Sequence, residues 1–86
     1  MKYTEQELVV LLKQRKDFAF AYLYDHYGAA LYTAIINMIS DKIFAEDILQ
    51  EVFLKILKHI EVYDQKKSRL YTWMLQVTRN ATIDIL

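Results

Sequence analysis

Cysteine and proline are absent from this sequence, and glycine occurs once, at position 28. Without cysteine there are no disulfides and no thiolate chemistry, which suits a reducing interior. Proline and glycine punctuate turns and hairpins, so their near absence points to long helices joined by short polar loops. A single glycine also rules out a glycine-rich phosphate loop. Long hydrophobic runs are missing too: the longest largely apolar stretch, Ala29 to Ile39, is too short to cross a bilayer and contains Thr33 and Asn37. The start, Met1-Lys2-Tyr3-Thr4-Glu5, leads into an amphipathic segment and not a signal peptide. A soluble protein is therefore expected. Net charge is zero, which argues against a uniformly basic nucleic-acid binder.

What is present is apolar surface in helical register. At 55% apolar, the 86 residues hold ample material for one core, and a single domain over residues 1–86 is expected. Thr4 and Glu7 have capping-box spacing and open a first helix, Thr4 to Gln14, with Leu8, Leu11 and Leu12 on its apolar stripe. Lys13-Gln14-Arg15-Lys16 reads as a solvated helix end whose cations suit the dipole. Asp17 is expected to cap a second helix running to about Met38. Its stripe is Phe20, Leu23, Tyr24, Tyr27, Leu31, Ala34, Ile35 and Met38, and Gly28 inside it is expected to mark a bend or a close helix contact. After a short loop at Ser40-Asp41, a third helix runs from about Phe44 to Glu61. Residues 61–68 form a polar loop, and a fourth helix starts near Arg69. Its expected buried stripe is Leu70, Met74, Val77, Ala81 and Ile85, while Arg69, Trp73, Gln76 and Asn80 share another stripe. The fold class that follows is all-α, a compact bundle of about four helices.

The third helix carries two faces. At about 100° per residue, Ile48, Leu49, Val52, Phe53, Ile56 and Ile60 gather on a wide apolar face that must be buried. Asp47, Gln50, Glu51 and Leu54 gather opposite them, an acidic stripe with one leucine in it. That combination suits a partner surface, although a lone exposed leucine on a solvated face is also ordinary. The charge distribution sharpens the point. Residues 41–54 hold Asp41, Glu46, Asp47 and Glu51 against Lys42, and the residues after them hold six cations against Glu61, Asp64 and Asp84. An acidic patch followed by a basic one suggests two different partners.

Catalysis finds little support. The two histidines, His26 and His59, lack metal-ligand spacing, and Glu46-Asp47 are adjacent on a helix and point apart. No catalytic, cofactor or metal site is expected. The loop and fourth helix are better suited to nucleic acid: Lys66, Lys67 and Arg69 can neutralise phosphates. Tyr63, Tyr71 and Trp73 offer rings for stacking, and Gln76 and Asn80 carry amides able to read base edges. Core packing is the competing role for Trp73 and Tyr71.

Ala45-Glu46-Asp47-Ile48-Leu49-Gln50-Glu51-Val52-Phe53-Leu54-Lys55, then Tyr63-Asp64, then Leu70-Tyr71-Thr72-Trp73-Met74-Leu75-Gln76-Val77-Thr78-Arg79-Asn80-Ala81-Thr82-Ile83-Asp84, closely resembles region 2 of extracytoplasmic-function (ECF) sigma factors of bacterial RNA polymerase. Phe20 to Tyr27 and Ala30-Leu31-Tyr32 resemble the start of that domain, so the resemblance covers residues 17–86. It implies a cytoplasmic, non-enzymatic domain with two contacts. Asp47, Gln50, Glu51 and Leu54 match the positions that dock on the β′ clamp helices of core RNA polymerase. Lys66, Lys67, Ser68, Arg69, Trp73 and Asn80, with Tyr63, Tyr71 and Gln76 as further candidates, match those that engage the −10 element on the non-template strand of promoter DNA. There a base is flipped into a pocket of the loop and fourth helix. An anti-sigma factor is a further partner the family admits, and no membrane insertion is implied. The family loop often has glycine where Ser68 stands and proline where Gln65 stands, so a somewhat different loop shape is expected here. The family also uses a region 4 domain for the −35 element. The sequence stops at Leu86 before any such domain, so either an excised domain or the loss of region 4 is expected, and the stop inside a helix without a cap favours truncation. The alternative from another class is a helical protein-interaction module that binds a transcription partner without binding DNA.

Overall fold

Thr4 opens the first helix, α1 (Glu5–Lys13), through a reciprocal capping box. Its hydroxyl accepts from Glu7 N at 3.1 Å and its own N–H donates to the Glu7 carboxylate at 2.9 Å. The computed structural model describes residues 2–86, and Met1, the first residue of the expected 1–86 unit, lies outside them. The remaining helices are α2 (Asp17–Ile39), α3 (Lys42–His59) and α4 (Leu70–Ile85), with one 3₁₀ turn at Ile60–Val62. The described residues contain no strand, and none of their helices is long and apolar enough to cross a membrane.

The connections use few residues and unusual ones. α1 ends with Arg15 N bonded to Leu12 O at 3.0 Å and Lys16 N bonded to Leu11 O at 3.1 Å. That pairing places Arg15 in the left-handed region at φ 61°, where glycine is usual. Lys16 rather than Asp17 is the N-cap of α2, and it makes no side-chain cap bond; Asp17 is the first helical residue, where its charge still suits the dipole. Ser40 takes the left-handed conformation at φ 62° and ends α2. Asp41 then caps α3 by accepting from Phe44 N at 3.1 Å.

α2 is the axis of the bundle. α3 and α4 pack along it and on each other, while α1 covers α2 at one end and reaches the 3₁₀ turn. Leu23, Leu31 and Ile35 of α2, Leu8 and Leu12 of α1, Val52 and Ile56 of α3, and Leu70 and Met74 of α4 are fully buried. Each such side chain favours the fold by roughly 1.5–3 kcal/mol over leaving it exposed. The bundle measures 34 × 23 × 19 Å. Tyr24 of the expected α2 stripe is largely exposed, and Ala19 is buried instead. Gly28 is buried, but a Cβ there would meet only the Tyr24 ring of its own helix, at 3.8 Å, so no close helix contact requires glycine. In α4 the buried stripe runs through Leu70, Met74, Thr78, Ala81 and Thr82, while Ile85 is exposed and Val77 half-buried. Threonine is tolerated inside because the Thr78 hydroxyl donates to Met74 O at 2.8 Å and that of Thr82 to Thr78 O at 2.7 Å.

Candidate functional site

The apolar face of α3 drives its position, and that fixes what the opposite face shows. Ile48, Leu49, Val52, Ile56 and Ile60 are buried and Phe53 is half-buried. Asp47, Gln50, Glu51 and Leu54 are therefore turned outward together, with Leu54 at 59% exposure. Ile43, at 79% exposure, lies one turn before Asp47 on the same side. The ion pairs among the described residues are Arg15–Glu61 and Arg69–Glu5. Among the described residues the carboxylates of Asp47 and Glu51 thus form no ion pair, on the same face as the exposed Leu54.

The second face is the stretch from Tyr63 through α4. Asp64 organises it: its carbonyl accepts from Lys67 N at 3.0 Å and its carboxylate from Lys66 N at 2.9 Å. This turn leaves Lys66 and Lys67 exposed, with Ser68 half-buried behind them. Arg69 is exposed at the start of α4, and its Nε donates to the Glu5 carboxylate at 3.2 Å. Gln76 and Asn80 are exposed further along α4, and Trp73 is half-buried between loop and helix.

None of the three expected rings is fully open to solvent. Tyr63 is 2% exposed, so its ring is internal and offers no open face for a base. Its hydroxyl donates to Ser68 O at 2.8 Å, and its ring lies 5.2 Å from that of Trp73. Burial foremost, with the Glu5 charge next, pushes the Tyr63 phenol above its usual range. Tyr71 is half-buried and stacks on Tyr27 at 5.9 Å. The Tyr27 phenol is likewise raised, chiefly by burial and then by Glu5.

Sequence reasoning missed three residues that shape this face. Lys13, read as part of a solvated helix end, donates from Nζ to Tyr63 O at 2.6 Å. Arg15 donates to Leu57 O at 2.6 Å, near the end of α3, and to Glu61 at 2.9 Å. Glu5 accepts from Arg69 and lies 3.5 Å from Leu70 N, supplying the cap that the Arg69 side chain does not. Their partners lie 42 to 65 residues away, so no local spacing announces them.

One helical bundle thus presents an acidic, leucine-centred helix face and a basic face of loop and helix. Comparison with known proteins gives it a family. The family model described as Sigma-70 region 2 matches residues 23–86. The ECF RNA polymerase sigma factor SigM of Bacillus subtilis (strain 168) is 42% identical over 62 residues, covering 72% of this chain and 37% of SigM. SigX of the same strain is 37% identical over 65 residues, covering 76% of this chain and 33% of SigX. SigK of Mycobacterium tuberculosis (strain ATCC 25618 / H37Rv) is 26% identical over 66 residues, covering 77% of this chain and 35% of SigK. The chain belongs to the Sigma-70 region 2 family, as a region 2 domain of the ECF sigma factor type. It spans about a third of the length of the curated relatives it matches. No solved structure matches it.

Proposed function

We propose that this sigma factor domain docks α3 on the β′ clamp helices of core RNA polymerase and holds the −10 element of the non-template strand on its loop and α4. The observation that carries the reading is the presence of two chemically different surfaces on one bundle: exposed carboxylates on the face that carries Leu54, and exposed Lys66 and Lys67 with Trp73, Gln76 and Asn80. An acidic stripe with a central leucine suits a basic, partly apolar helix. Lysines at a loop suit phosphates, which position the strand without reading it. Trp73 and the Asn80 amide supply the stacking and hydrogen bonds that distinguish bases.

In this mechanism the domain works by binding and not by catalysis. Promoter opening costs a few kcal/mol for each base taken out of the stack. Capturing an extruded base between the loop and α4 offsets that cost, so the open strand is stabilised without ATP. The setting is the bacterial cytoplasm, where transcription takes place.

The alternative is a protein-interaction module that does not bind DNA, and one observation favours it: Arg69 already has an anionic partner in Glu5. Fluorescence anisotropy of labelled single-stranded oligodeoxynucleotides separates the two. The sigma mechanism predicts sequence-selective binding that weakens about tenfold in Asn80→Ala. Binding that is absent, or indifferent to Asn80→Ala and Trp73→Ala, supports the interaction module.

A further inference from the structure

The loop of residues 63–69 is tied at both ends to α1, a helix that precedes the residues matched by the family. At the loop's start, the Lys13 ammonium sits on Tyr63 O at 2.6 Å. At its end, the Glu5 carboxylate holds Arg69 Nε at 3.2 Å and lies 3.5 Å from Leu70 N. Glu5 and Lys13 stand eight residues apart on α1, about 12 Å along the axis at 1.5 Å per residue. A helix is stiff over that length, so the two ties set the separation of the loop's ends. The first tie also reaches the far side of the loop, because the Tyr63 hydroxyl donates to Ser68 O at 2.8 Å. Glu5 orients Arg69 without covering it: the Arg69 side chain remains 81% exposed.

We propose that α1 is a template for the strand-binding loop, and that Lys13 and Glu5 are positioning residues that set its discrimination between bases. The proposal rests on the reading of this loop as the DNA face. Glycine and proline, which stiffen or bend a loop from within, are absent between Tyr63 and Arg69. The ties from α1 supply the shape instead. Lys13 acts through the Tyr63 carbonyl and Glu5 through Arg69.

The test is anisotropy on the whole chain, comparing wild type, Lys13→Met, Lys13→Arg and Glu5→Gln. The probes are single-stranded oligodeoxynucleotides differing at one base, over a range of salt. Amide exchange of residues 64–68 without DNA and binding of a β′ clamp-helix fragment are measured alongside. Lys13→Met is expected to lose about tenfold in discrimination, the scale of one charge-assisted hydrogen bond. Its loop amides should exchange faster, its salt slope and clamp-helix affinity should hold, and Lys13→Arg should restore discrimination. Glu5→Gln is expected to lose discrimination although it removes a negative charge. Unchanged discrimination in both Lys13→Met and Glu5→Gln would overturn the proposal. So would a Lys13→Met loss accompanied by a slope flattened by about 0.7, the signature of a direct phosphate contact. A wild type that binds no strand defeats the DNA reading and the proposal with it, and that result is recognisable because it precedes any substitution.

Discussion

Replacing Leu54 by alanine separates recognition from folding. Leu54 is 59% exposed in the free domain, so its loss removes little internal contact. The change in folding stability should stay within about 1 kcal/mol. Burying a whole leucine is worth about 1.5–3 kcal/mol. Covering the 59% that is still open under a partner helix is then worth about 1–2 kcal/mol. Leu54→Ala should therefore weaken binding to the clamp helices about 5- to 30-fold. The reciprocal control is Val52→Ala, two positions away and fully buried. It deletes two methyl groups from the core and should cost about 2 kcal/mol, lowering Tm by roughly 10 °C, while its folded fraction binds normally. Titration calorimetry with a clamp-helix fragment and thermal melts on the same samples provide both numbers. Leu54→Ala binding as tightly as wild type would refute the placement of this leucine in the interface. A large loss of Tm in Leu54→Ala would refute its exposure.

Other perturbations test other parts of the structure. Gly28→Ala has room for its methyl group at 3.8 Å from Tyr24 and should stabilise the domain by about 0.5–1 kcal/mol through helix propensity, raising Tm by a few degrees. The Thr4 N–H and then its hydroxyl hold the Glu7 carboxyl below its usual range. A lowered carboxyl stabilises the fold above its unfolded pKa and loses that contribution as pH falls through the folded one, so the acid loss of Tm should be smaller in Glu7→Gln. The raised Tyr63 phenol has the opposite sense: its contribution is complete below the usual tyrosine range and is lost as pH rises through the raised value. Tyr63→Phe should remove that alkaline step and, by deleting the bond to Ser68 O, cost about 1 kcal/mol in a melt near neutral pH. Neutralising Lys66 and Lys67 together should flatten the salt dependence of single-strand binding by roughly 1.4 units of slope, with base preference retained.

Local pattern carried the helices. The capping box at Thr4 and Glu7, the three-and-four spacing through α2 and the two faces of α3 are all signals within a few turns, and all are present except that Tyr24 leaves the α2 stripe for solvent. The outward turn of Asp47, Glu51 and Leu54 followed from the burial of Ile48, Val52 and Ile56. Failures came where one stretch meets another. Tyr63 stands in a polar loop and reads as an exposed ring, yet it is buried, its carbonyl taken by Lys13 from the other end of the chain. Thr78 and Thr82 read as polar, yet their hydroxyls return to carbonyls of their own helix and the methyl groups pack inward. Arg15 gave no hint of a left-handed backbone, and its side chain bonds Leu57 O near the end of α3 and Glu61 in the 3₁₀ turn, both far away in sequence. Periodicity reports which side of a helix is apolar; it does not report what that side meets.

Binding of the whole chain to core RNA polymerase, wild type beside Glu51→Lys, with melts showing both folded, probes the acidic α3 face as the docking surface. Saturable binding by wild type that is lost in Glu51→Lys at unchanged Tm is the predicted result. A folded wild type that does not bind the polymerase, or a Glu51→Lys variant that binds equally well, would contradict it.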